Sequence, residues 1–130
     1  MLKKTITYTD YDGNERTKDF YFNLSRAEAV EMQANASGGL EEFYRKIIAE
    51  RDIPKIYQMF KELVLKSYGQ KSLDGKRFIK SKEMSEEFAQ TEAFSELIME
   101  IMTVPDAAAN FANGIVSSVG KGTTPELPDK

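Results

Sequence analysis

Leu2-Lys3-Lys4-Thr5-Ile6-Thr7-Tyr8-Thr9-Asp10-Tyr11-Asp12-Gly13-Asn14-Glu15-Arg16-Thr17-Lys18-Asp19-Phe20-Tyr21-Phe22 decides the fold. Leu2, Ile6 and Tyr8 alternate with Lys3, Thr5, Thr7 and Thr9, and only Lys4 interrupts the apolar side. Alternation with β-branched residues reads as a half-buried strand. Beyond the turn, Phe20 and Phe22 share one face while Asp19 and Tyr21 share the other. Asp12-Gly13 between the two runs supplies the positive φ of a hairpin turn. The oxygen-rich Asp10–Asn14 stretch lacks the spaced carboxylates that close a calcium loop. A lone hairpin is marginal in water, so its apolar face must pack on something.

The rest of the chain supplies helices. Ser25 and Glu28 form an S-x-x-E capping box that starts a short helix to about Ala34. Asn35–Gly39 breaks it, and a second helix is expected from about Leu40 to Arg51, with Leu40, Phe43, Tyr44, Ile47 and Ile48 as its stripe. Asp52 caps a third, with Pro54 in the first turn, where a missing N–H costs little. That helix is expected to reach about Tyr68 and stop at Gly69 as a C-cap. Its stripe is Ile56, Met59, Phe60, Leu63 and Val64. A polar link follows, with a turn at Asp74-Gly75 and a short extended piece at Phe78-Ile79. Ser81 caps a helix over Lys82–Gln90, and Thr91 caps another over Glu92–Met102, with Phe94, Leu97, Ile98, Ile101 and Met102 as its stripe. Thr103–Asp106 leads into a last short helix ending near Gly114.

Three helices with one apolar spacing imply one shared core. The expectation is an α+β fold, with an N-terminal β-hairpin over 2–22 packed on a bundle of five or six mostly short helices over 25–114. Residues 1–116 are expected to form a single domain. Residues 117–130, small and polar with Pro and Gly, read as a flexible, disordered tail.

Composition narrows the chemistry. The chain has 130 residues, net charge −3, no cysteine and no histidine. Triads, dyads and metal sites that need those side chains are excluded. Neither a Walker A pattern nor G-x-G-x-x-G occurs, so the familiar phosphate cradles are missing. The lysines at the N-terminus have no apolar run behind them, and no stretch approaches a membrane span. The expectation is therefore a protein without enzymatic activity, cofactor or metal.

Three features bear on function. Lys61 to Lys82 carries seven basic residues and two acidic ones, whereas Glu83 to Asp106 carries seven acidic residues and no basic one. Those stretches read as solvated faces that pair with each other or dock a partner. Met99 lies about 140° round its helix from Phe94, and Leu65 is similarly off its stripe. Either both pack under the hairpin, or they mark a partner-binding apolar patch. Glu96 and Glu100, like Glu83 and Glu87, are one turn apart on what reads as a polar face, without the cleft that acid–base chemistry needs.

Several segments together resemble a known family. They are Lys3–Asn14, Phe20–Ser25, Leu65–Gly69, Ser72–Lys80, Phe88–Leu97 and Ala107–Ile115. The pattern is similar to phage tail assembly chaperones of long-tailed phages and prophages of Gram-positive bacteria, and covers nearly everything before Val116. The resemblance implies a protein of the host cytoplasm, not present in the mature virion. It would bind and solubilise the tape measure protein and help recruit tail tube protein. It implies no catalytic residues. Self-association is compatible with this role. Two other classes remain open on the residues: a structural virion component, such as a head, connector or tail accessory protein, and a nucleic-acid-binding regulator resting on Lys61–Lys82.

Overall fold

The computed structural model of the chain describes residues 1–34, 45 and 49–115. The Asn35–Gly39 break, most of the expected 40–51 helix with its whole stripe, and the 117–130 tail lie outside them. The fold is α+β. Strands β1 (Leu2–Thr9) and β2 (Glu15–Phe22) form the N-terminal hairpin. Helices α1 (Arg26–Ala34) and α2 (Ile53–Ser67) follow, then β3 (Tyr68–Lys71) and β4 (Phe78–Ile79). Helices α3 (Lys82–Ala89), α4 (Glu92–Thr103) and α5 (Ala107–Ile115) complete the described residues.

The sheet is larger than the expected hairpin. Its four strands are antiparallel in the order β1-β2-β3-β4. The correction falls on Tyr68 and Gly69. Gly69 does not end the helix as a C-cap; α2 stops at Ser67, and Tyr68 is already extended at φ −67, ψ 139. The chain therefore passes from helix to strand with no loop between them. Gly69 is needed for space, because a Cβ there would lie 2.6 Å from the Ile79 carbonyl oxygen and 2.6 Å from Phe78 Cε2.

The expected hairpin is present, and its register sets Leu2 opposite Phe22 and Thr9 opposite Glu15. Gly13 has φ +84, and Asp10 accepts from the Asp12 and Asn14 amides at 3.0 and 2.9 Å, so one carboxylate organises the turn. On the inner face, Ile6, Phe20 and Phe22 are buried with Met59, Phe60, Leu63 and Val64 of α2. Phe88 of α3, the α4 stripe and Phe111 and Ile115 of α5 close the same core. Each large apolar side chain removed from water contributes about 1.5–3 kcal/mol. Lys4, which breaks the apolar alternation, donates to Glu100 Oε2 at 2.7 Å, so the inward charge is paired. On the outer face, Thr7 and Thr17 hydroxyls meet at 2.9 Å and Thr5 donates to Asp19 at 2.6 Å. Opposed polar pairs of this kind suit a wet sheet face.

Residues 23 and 24 run between elements, and their amides need acceptors. Asn23 donates to the Ser67 carbonyl at 2.8 Å and Leu24 to the Ile115 carbonyl at 3.0 Å. These two bonds tie the exit of the hairpin to the ends of α2 and α5. The helix starts follow the expected caps. Ser25 and Glu28 exchange bonds at 2.9 and 3.1 Å. Asp52, Ser81 and Thr91 accept from Lys55, Met84 and Phe94 amides respectively.

Glu28 also receives Lys80 Nζ on both oxygens, at 2.9 and 2.8 Å, which ties α1 to the end of β4. Burial pushes the Glu28 carboxyl up, but Lys80 and the Ser25 amide outweigh it, and the net is below the usual glutamate range. A depressed folded-state value means stability present above the unfolded pKa and lost as pH falls through the folded one. Partial exposure and screening keep the gain below about 1 kcal/mol. Urea unfolding of Glu28→Gln against the parent should show a gap at pH 7 that narrows below about pH 4.3, the ordinary glutamate value. A gap independent of pH would mean that the charge of Glu28 does not contribute.

Candidate partner-binding surface

The surface of interest lies where α4 crosses β1. Glu100 meets Lys4 at one end, and Glu92 accepts from Tyr11 Oη at 3.4 Å at the other. The helix therefore runs along the strand in the opposite sense. Glu92, Glu96 and Glu100, each one helical turn from the next, form an acidic row beside the strand. β1 is an edge strand, with no further strand beyond it among the described residues.

Between the two elements is an open groove of about 330 Å³, lined by Thr5, Ile6, Thr7, Glu96, Met99, Glu100 and Thr103. Met99, 56% exposed, is the large apolar side chain that stands open in the groove. The α4 stripe explains why it stands there. Phe94, Leu97, Ile98 and Ile101 are buried, which turns Met99 outward. Thr103 donates to the Met99 carbonyl at 2.6 Å, closing the last turn beneath it. Glu96 makes no ion pair among the described residues, whereas Glu100 is paired with Lys4.

Leu65, the other sequence candidate, is placed differently. It is half-buried and packs against the core, and its carbonyl accepts from Ser85 Oγ at 2.9 Å. It does not line the Met99 groove.

Two further features were not singled out by sequence reasoning. A cleft of about 170 Å³ opens between the start of β1, the end of α4 and α5, lined by Leu97, Ile101, Val104 and Phe111 among others. At the far edge of the sheet, the β3–β4 turn presents Leu73, which is fully exposed. An apolar residue just before an Asp-Gly turn serves no helix or strand face, and that was its signal in the sequence.

The carboxylates with lowered pKa at the hairpin tips have structural causes. Asp10 is held down first by the Arg16 guanidinium and Asp74 first by the Ser72 hydroxyl. The paired glutamates Glu96 and Glu100 rim an open groove, and Glu83 and Glu87 are exposed on α3. The arrangement suits docking of a polypeptide: an apolar contact, an acidic border and a strand edge. No helix among the described residues is long and apolar enough to cross a membrane.

A family model described as phage tail assembly chaperone matches residues 1–118. No curated protein and no solved structure matches the chain.

Proposed function

We propose a specific role for this chain, which belongs to the phage tail assembly chaperone family: it binds the tape measure protein, keeps it soluble, and helps recruit tail tube subunits during tail morphogenesis. In this reading it acts in the host cytoplasm as one folded unit over residues 1–116 and leaves before the virion is complete. The supporting observation is the open groove in which Met99 stands exposed beside the edge strand β1. A flexible thioether accepts varied apolar side chains, as a chaperone for a long apolar chain requires. Leu65 is the second contact proposed, available only through its exposed fraction.

Co-expression with the tape measure protein tests this. The parent chain should hold it in the soluble fraction. Met99→Glu should reduce the soluble amount several-fold while changing the chaperone's own stability by no more than about 0.5 kcal/mol, as for exposed positions generally. Leu65→Glu should also lower the chaperone's own stability, by about 1–2 kcal/mol, because that side chain is partly buried against the core. Undiminished solubilisation by Met99→Glu would remove the groove from the mechanism.

The edge of β1, unpaired among the described residues, favours a second reading, a structural virion component that joins a neighbour's sheet. Peptide mass spectrometry of purified particles separates the two. Abundant peptides from this chain in mature virions would support the structural reading.

A further inference from the structure

The β3–β4 turn is braced more heavily than a connection requires. Ser72 donates from its amide to the Arg77 carbonyl at 2.9 Å, and Gly75 donates to the Ser72 carbonyl at 2.9 Å. The Ser72 hydroxyl donates to Asp74 at 2.6 Å and accepts from the Arg77 amide at 3.0 Å. Lys76 donates from its amide to Asp74 at 3.0 Å. This network holds the tip in one conformation, and the tip presents Leu73 at 110% of its reference exposure. A single exposed leucine needs no explanation by itself. This one is fixed at an apex, with Lys71, Lys76 and Arg77 exposed around it.

The opposite corner carries a matching shape. Leu2, Leu97, Ile101, Val104, Ala107 and Phe111 line the cleft of about 170 Å³. An apolar cavity of about 150 Å³ holds a benzene molecule, so a leucine side chain fits. Its polar lining is Asn110 and the mutually paired Lys4 and Glu100, and Asp106, between the lining residues Pro105 and Ala107, is exposed and makes no ion pair among the described residues. The sheet places knob and cleft apart. β1 and β4 are opposite edges, and Leu2, Phe22 and Tyr68 lie in one row, so β3 leads its tip away from the Leu2 end. One copy therefore cannot fill its own cleft.

We propose that Leu73 of one copy inserts into the β1–α4–α5 cleft of a second copy, with Lys76 and Arg77 facing Asp106. The contact joins two different surfaces, so it repeats head to tail and builds an open row. It concerns only copies of this chain and stands without the tape measure reading.

Sedimentation velocity of the purified full chain tests it. The average mass should rise steadily with concentration without stopping at a dimer, and should fall with added salt. Leu73→Ser and Val104→Asp should each weaken association about tenfold or more, as truncation of a central anchor does, with unchanged melting curves. Leu73→Ser keeps an intact cleft and Val104→Asp an intact knob. Mixed together, they should form a one-to-one pair that grows no further. A parent chain that stays monomeric, a closed dimer indifferent to Leu73→Ser, or a mixture that does not pair would each overturn the proposal. None of these results touches tape measure solubility, which is read separately.

Discussion

Phe22→Ala is expected to lower stability by about 3–5 kcal/mol, the usual range for a fully buried phenylalanine. Phe22 is 0% exposed. Its ring lies 5.8 Å from Tyr68, 5.8 Å from Phe88 and 5.4 Å from Phe111, so one side chain joins sheet, α3 and α5. Edge-on aromatic contacts add to burial, and truncation loses both. Domains of this kind are stable by only about 5–15 kcal/mol, so the variant would stand near its unfolding limit. Thermal denaturation should show the midpoint fall by about 10–20 °C. Tyr21→Ala is the control on the other face. Tyr21 is half-exposed beneath Lys71, whose ammonium sits 5.0 Å from the ring centre, and its loss should cost no more than about 1 kcal/mol. Equal losses at 21 and 22 would mean that the sheet is not bedded on the helices by its Phe22 face.

Gly69→Ala should have the next largest effect, about 1–3 kcal/mol, as expected for an added methyl with no room. The atom it meets on one side is backbone oxygen, at 2.6 Å, which a side-chain rotation does not relieve. Relief requires β4 to shift. That loosens the pairs Gln70–Ile79 and Lys71–Phe78, which carry the Leu73 tip. Chemical denaturation reads the stability, and amide exchange across residues 70–79 reads the loosening. Gly75→Ala is the informative contrast. It has open space around it but φ +74, so its cost comes from backbone conformation and stays at the turn. A stable Gly69→Ala variant with full protection at residues 70–79 would contradict the close approach.

Much of this was legible in the residues. Phe20 and Phe22 alternate cleanly because β2 rests on a core, and the Ser25, Asp52, Ser81 and Thr91 caps are local chemistry that neighbours do not change. The exit from α2 was not legible. Tyr68 continues the helical pattern well enough, and only the pairing of Phe22 with Tyr68 draws it into the sheet. A four-residue strand ending in Gln70 and Lys71 carries no alternation to notice. The angle of Met99 on its helix set it off the buried stripe but left open whether it packs under the hairpin, and the structure leaves it 56% exposed. Leu65 has a similar angle, yet the core reaches it, and no spacing within α2 encodes where α3 lies. The cleft beside Val104 was out of reach for the same reason: its walls come from β1, α4 and α5 together.

The uninterrupted passage from Ser67 to Tyr68 has a consequence for how this chain can change length. One residue added there would swing α2 by about 100° or turn Tyr68 to the opposite side of the sheet. Either outcome empties part of the interior. The same addition among residues 10–14 would only enlarge a bend in the solvent. Insertions and deletions among natural variants should therefore accumulate at the hairpin bends and avoid this seam.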